Sequence, residues 1–279
     1  MSASNQHAQG IESNPSGDAK KSYSDIFYEP PKGEKSGLPH DPFKSFVVPR
    51  PIGWISTRSR DGQDNLAAFS QFTNVSFDPP TILFVGHQSL YKLRSKDTVL
   101  NCIETNEFVW NMPTYGLRES VVSSALETWN DEFEEGGIAK APSTLVRPPR
   151  VRDSPVALEC RVHSIHRVAN QQHGEQMFGP HLVGNSDIVI GRVLGVHIKG
   201  EYITGEGLFD ILKAAPLARN GYHQYTHVNQ VYDMLMPAMP DDTRSGDVLG
   251  GNVNYNIRYE EKEMKRAGEK KTNAVTKTD

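Results

Sequence analysis

Apolar residues recur along this chain in short runs set off by turn formers, a pattern of many strands and few helices. Pro51 is suited to the first position of a strand, and Ile52 to Arg58 reads as that strand. Asp61-Gly62 offers the positive φ angles of a tight hairpin turn, and Asn65 to Phe69 reads as the returning segment. Asp78-Pro79-Pro80 breaks the chain before Thr81-Ile82-Leu83-Phe84-Val85, a short run typical of a strand buried on both faces. Val99, Leu100, Cys102 and Ile103 have helical spacing with Asp97 as the expected N-cap, and Phe108 to Met112 returns to strand. Leu117 to Trp129 places Val121, Val122, Ala125, Leu126 and Trp129 on one helical face. Strands are predicted over Val156 to Val162 and Ile188 to Ile198, the second with bends or a bulge at Gly191 and Gly195. A short helix is expected near Leu208 to Leu217. The fold class that follows is mainly β: an antiparallel β-barrel with peripheral helices rather than a doubly wound parallel sheet.

The same pattern divides the chain. Residues 1–42 form an arm whose first part, Met1 to about Lys20, holds too little apolar surface to offset the entropy of ordering. Tyr23 to Pro42 is richer in Tyr, Phe and Pro and reads as an extended strap over the domain or a neighbouring subunit. Residues 43–226 form the core domain, and 227–279 a C-terminal extension whose Lys/Glu-rich tail from about Glu260 reads as a frayed helix or disordered chain. A net charge of −4 over 279 residues removes the electrostatic reason to expect a nucleic acid or an anionic membrane as main partner. No apolar run approaches the roughly 18 residues of a membrane span. Cys102 and Cys160 stand far apart without a CxxC, so a reduced, cytoplasmic setting is expected.

Two readings stay open for the polar residues. Ser56, Thr57, Ser70, Thr73, Asn74, Lys96 and Thr98 are suited to coordinating a phosphate, with Lys96 neutralising charge at the start of a helix. Equally, serines and threonines near strand ends satisfy turns, and an exposed lysine is ordinarily solvated. Trp54, Phe69 and Phe72 fit either a slot for a flat ring or the core. His163 and His166 fall on opposite faces of a strand, and His223 and His227 lack the glutamate of a zinc hydrolase, so no metal site is expected. GxSxG, GxGxxG and P-loop patterns are all missing, which leaves a nucleotide, if one binds, to some other architecture.

Several motifs occur together and in order: Pro49-Arg50-Pro51-Ile52-Gly53-Trp54-Ile55-Ser56-Thr57, Asp61-Gly62, Asn65-Leu66-Ala67 with Ser70 and Phe72, Asp78-Pro79-Pro80, and Lys96-Asp97-Thr98. Glu107-Phe108-Val109 with Asn111, Asp131-Glu132-Phe133-Glu134 with Gly137, Ser154 to Cys160, Ile190-Gly191-Arg192-Val193, then Arg219 and Tyr225 continue the series. In this, residues from about 43 to 226 resemble the flavin reductase-like family, whose domain is an FMN-binding split β-barrel. The resemblance implies that Trp54, Ser56 and Thr57 face the flavin, that Ser70, Phe72, Thr73 and Asn74 form a loop around ring and ribityl chain, and that Lys96 and Thr98 hold the phosphate end. It implies FMN, with FAD as the other option, and NAD(P)H as hydride donor. It further implies a homodimer with flavin near the subunit interface, and a small-molecule acceptor or a partner monooxygenase. A flavin-binding electron carrier or a non-enzymatic split-barrel interaction module is the alternative. The resemblance assigns no catalytic residue, since flavin carries hydride chemistry itself. Two positions depart from the family pattern: Ala68 stands where proline is usual, and Trp110 replaces a smaller apolar residue.

Overall fold

The computed structural model describes residues 23–89, 94–127, 131–168 and 186–232. Its centre is one antiparallel sheet of seven strands. In chain order these are Gly53–Arg58 (β2), Asp64–Phe69 (β3), Phe72–Phe77 (β4), Pro80–His87 (β5), Glu107–Asn111 (β6), Val156–Val168 (β9) and Ser186–Ile198 (β10), arranged in space as β3-β2-β6-β9-β10-β5-β4. Arg50–Pro51 (β1), Leu217–Arg219 (β11) and Tyr225–His227 (β12) make a small second sheet, and Lys140–Ala141 (β7) pairs with Arg150–Val151 (β8). β3 and β4 follow each other in sequence yet lie at opposite edges, so the sheet must curl to bring its edges together. The result is the antiparallel barrel that the sequence pattern predicts, split along one seam as the family resemblance implies.

β2 is covered on both faces from Gly53 to Thr57, with the polar Ser56 and Thr57 buried among its apolar residues. Ile55 packs inside the barrel with Phe69, Phe84, Val99, Phe108 and Val189. On its other face Ile52 and Trp54 join Leu66, Val121, Phe133 and Leu217 under the outer helices. A strand covered on both faces has no polar side to show. Phe84 and Phe108 meet edge to face at 5.4 Å and are fully buried, and each contributes about 1.5–3 kcal/mol through area removed from water. Gly191 is required by this packing: a Cβ there would lie 2.3 Å from the Phe108 ring. The ladder between β10 and β9 shifts register at Ile190/Gly191 and again at Val193/Gly195, where bends were expected.

The turn after β2 forms as its sequence dictates, with Gly62 at φ +89°. Asp97–Thr105 (α1) differs in detail from expectation. Lys96 occupies the N-cap without a side-chain cap bond, and Asp97 is the first helical residue, its carboxylate paired with Arg94 at 2.7 Å. The long helix expected from Leu117 is also cut short, to Arg118–Ser123 (α2); Trp129 lies outside the described residues. Ser123 and Ser124 donate their hydroxyls back to Ser120 O and Val121 O at 3.1 Å each, the competition by which serine weakens a helix end. Glu132–Glu135 (α3) starts at Asp131, which accepts from Phe133 N–H, and Ile211–Ala214 (α4) is the short helix expected in that region. The strap from residue 23 holds only a 3-10 turn, Pro30–Lys32, and leaves Phe27 87% exposed. Met1 to Lys20 and the tail from Glu260, for which the sequence suggests loose or frayed chain, lie outside the described residues.

Candidate functional site

The free edge of β3, the start of α1 and the end of α2 converge on a shallow cleft lined by Ala67, Ala68, Lys96, Thr98, Ser124 and Glu127. Its position is fixed from below. Asp187 on β10, 2% exposed, accepts from Arg167 Nε at 2.7 Å and from the Ser95 hydroxyl at 2.9 Å, which anchors the segment leading into α1. Behind the cleft wall lies a buried amide–hydroxyl network. Asn65 Nδ2 donates to Thr98 Oγ1 at 2.9 Å and to Thr57 Oγ1 at 3.3 Å, and Asn101 Nδ2 donates to Thr57 Oγ1 at 3.0 Å. A second strut crosses the side: Lys140 pairs with Asp64 of β3 at 2.9 Å and with Asp131, the cap of α3.

At the cleft's mouth the Ser89 hydroxyl donates to Glu127 Oε2, and Lys96 Nζ pairs with Glu127 Oε1 at 3.1 Å. An ammonium and a hydroxyl therefore hold one carboxylate in a cleft that Asp97 and Thr98, the first residues of a nine-residue helix, also line. With Ala125, Leu126 and Glu127 lying across it, the remaining cavity is about 30 Å³, room for one water.

Glu132 lines the same cleft, and its Oε2 accepts the Leu66 N–H at 3.0 Å. Burial pushes this carboxyl up from 4.5 to about 7; Asp131 and Asp97 nearby push the same way, and the Leu66 N–H opposes. A carboxyl raised on folding stabilises the fold fully below its unfolded value of 4.5 and loses that contribution as pH rises through about 7. Glu132→Gln keeps an acceptor for Leu66 and removes the titration. We expect its melting temperature to change less than that of the wild type between about pH 5 and about pH 8. Parallel pH dependence in the two proteins, followed by circular dichroism, would count against this.

The residues singled out in the sequence separate into three groups. Lys96 and Thr98 line the cleft, and Thr57, fully buried, reaches it through Asn65. Trp54 and Ser56 point to the opposite face of β2: the Trp54 indole N–H donates at 2.8 Å to Oγ of Ser124, itself a cleft-lining residue, and the Ser56 hydroxyl donates to Pro149 O at 2.5 Å while accepting from Asn111 Nδ2 at 3.2 Å. Phe72, Thr73 and Asn74 lie in strand β4 and not in a loop. Phe72 stacks on Trp110 at 5.2 Å, over Gly53, and Thr73 and Asn74 are exposed, with Ser70 half-buried just before them. Ser89, Glu127 and Glu132 were not singled out. The DEFE motif contained Glu132, but nothing local marks Ser89 or Glu127, whose contact spans 38 residues.

A seven-stranded antiparallel sheet curled into an open-seamed barrel, with a polar cleft where a free strand edge meets a helix start, defines a split β-barrel protein. Residues 45–216 match the family described as flavin reductase like domain, and the chain belongs to that family. An uncharacterized protein of Aquifex aeolicus (strain VF5) is 40% identical over 119 residues, covering 42% of this chain and 60% of that protein, so the matched stretch spans less than two thirds of this relative. Component B of nitrilotriacetate monooxygenase from Bacillus cereus has a similar structure, with a TM-score of 0.60 at 21% identity, covering 69% of this chain and 91% of that one. Flavoredoxin of Desulfovibrio vulgaris (Miyazaki F) is similar at a TM-score of 0.54 and 20% identity, over 67% and 91% of the two chains. No helix among the described residues is long and apolar enough to cross a membrane.

Proposed function

We propose that the chain binds FMN in this cleft and serves as an NAD(P)H-dependent flavin oxidoreductase, with FAD as a weaker substitute. The observation that carries the reading is the carboxylate of Glu127 held by Lys96 and Ser89 at the opening of α1, an anion in a receptor suited to a terminal phosphate. The donor set offers a cation, Lys96, and a hydroxyl, Ser89, for the phosphate, with the small side chains of Ala67 and Ala68 beside them; of the other carboxylates in the lining, Asp97 is paired with Arg94 and Glu132 is held by the Leu66 N–H. Because Ala125 to Glu127 fill the cleft, this segment moves outward as ligand enters, and Glu127 yields its partners to the phosphate.

Bound flavin supplies the hydride acceptor. The chain's own part is to hold the anionic tail at Lys96 and Ser89, to fix the wall through the Asn65 network, and to keep water from the ring. Phe72, Thr73 and Asn74 on β4, and Ser70 in the link between β3 and β4, are not among the residues that line this cleft. Their assigned role is retained on the reading that a second copy of the chain brings its own β4 toward the site, which makes the working unit a homodimer. The acceptor we infer is a small molecule or a partner oxygenase in the cytoplasm; a monooxygenase component with this fold supports the second option.

Purified protein titrated with FMN and then with NADH or NADPH tests the reading. Perturbed flavin absorption followed by bleaching under NAD(P)H supports it. A protein that leaves the FMN spectrum unchanged overturns it, and one that binds FMN but is reduced only by a protein donor is an electron carrier instead.

A further inference from the structure

β3 is an edge strand, and its ladder to β2 shows which of its backbone groups are free. Trp54 pairs with both Ala68 and Asn111, and its carbonyl accepts from Asn111 Nδ2, so its backbone groups turn toward β6. In an antiparallel ladder alternate residues face inward and outward. Leu66 confirms the parity, for its N–H leaves the sheet to reach Glu132 Oε2 at 3.0 Å. Ala68, two residues on and about 6–7 Å along the strand, has the same orientation. Its N–H and C=O therefore project from the free edge where Ala68 lines the cleft, and no described residue takes up the N–H. Glu132 closes the edge at Leu66 and leaves it open at Ala68.

We propose that the backbone N–H and C=O of Ala68 read the imide edge of a flat heterocycle, the N–H donating to a ring carbonyl and the C=O accepting from the adjacent ring N–H. This rests on the flavin reading above and names the ring end that the β3 edge selects. An adjacent donor and acceptor on a strand edge complement a carbonyl beside an imide N–H, as a neighbouring strand would. Alanine at this position is a chemical choice: proline has no N–H to give. The same donor favours the electron-rich, reduced ring, since hydrogen bonds to charged acceptors are about twice as strong as neutral ones.

The test uses the full chain with FMN and with N3-methyl-FMN, in which the imide N–H is blocked. Wild-type protein is expected to bind the methylated ligand about tenfold more weakly, the effect of one lost hydrogen bond. Ala68→Pro removes the N–H at an edge position where proline is tolerated. It is expected to bind reduced FMN about tenfold more weakly, with oxidised FMN less affected. Equal affinity of wild type for the two ligands overturns the inference even if Ala68→Pro does not fold, and so does an unchanged affinity in folded Ala68→Pro. FMN binding without this discrimination overturns the Ala68 inference alone; failure of the wild type to bind FMN at all overturns both readings.

Discussion

Replacing Glu159 with alanine lowers the melting temperature by roughly 6–20 °C, the largest effect expected of any single substitution here. Glu159 sits on β9 with no exposed surface. Its Oε1 accepts the Thr144 N–H at 2.7 Å and faces His197 Nε2, and its Oε2 accepts the N–H groups of Leu145 at 2.5 Å and Val146 at 3.1 Å. Truncation strands three backbone donors at once, and breaking a buried charged cluster of this kind costs about 3–5 kcal/mol. Each kcal/mol is worth about 2–4 °C in a domain of this size. Glutamine does not rescue, because its amide turns a donor toward N–H groups that are themselves donors. The damage spreads, since the same loop presents Pro149 O to the Ser56 hydroxyl on β2. Burial raises the Glu159 carboxyl, and the bonds from His197, Thr144 and Leu145 more than offset this, leaving it below its usual value of 4.5. A carboxyl lowered on folding stabilises above its unfolded value and loses that contribution as pH falls through the folded one. The gap between wild type and variant should therefore narrow in acid. Thermal melts that coincide at neutral pH would mean that water reaches these donors.

Lys96→Ala weakens FMN binding by about 10–100-fold and leaves riboflavin binding nearly unchanged, as read by flavin fluorescence titration. A hydrogen bond between charged groups contributes about 1.5–3 kcal/mol, and riboflavin lacks the phosphate that would receive it. Glu127→Gln acts in the opposite direction. It removes the internal competitor for Lys96 and Ser89 and is expected to tighten FMN several-fold while leaving riboflavin alone. Lys96 and Glu127 are partners in one ion pair, so the effects of the two substitutions do not add, and the double variant measures the coupling. Equal losses for FMN and riboflavin in Lys96→Ala would show that Lys96 supports the cleft rather than the phosphate.

The barrel was legible where burial is two-sided. Thr81 to Val85 and Ile188 to Ile198 are apolar runs closed by breakers, and they became the inner strands β5 and β10. The glycines at 191 and 195 marked the register shifts because a ring or a strand crosses close by. Strand β4 was not legible. Phe72-Thr73-Asn74-Val75-Ser76-Phe77 is an exposed edge, with Phe77 86% accessible; without a buried face its pattern marks no element, and the loop expected there followed from the family resemblance alone. Trp54 shows a further limit: with both faces of β2 buried, alternation could not say which face it takes. At the cleft, Lys96 and Thr98 were visible because they sit at a helix start. Ser89 and Glu127 were not, because only the folded barrel brings the turn after β5 against the end of α2.

Cys102 and Cys160 both lie in the barrel's inner cluster, at most 1% exposed, and burial pushes both thiols well above their usual range. A thiol so placed is neither reached by an alkylating reagent nor ionised to react with it. Labelling then waits for the barrel to open, and its rate becomes a clock for native-state breathing. Two protected sites that label together, at a rate set by the protein and not by reagent concentration, would mark the inner strands as one cooperative unit.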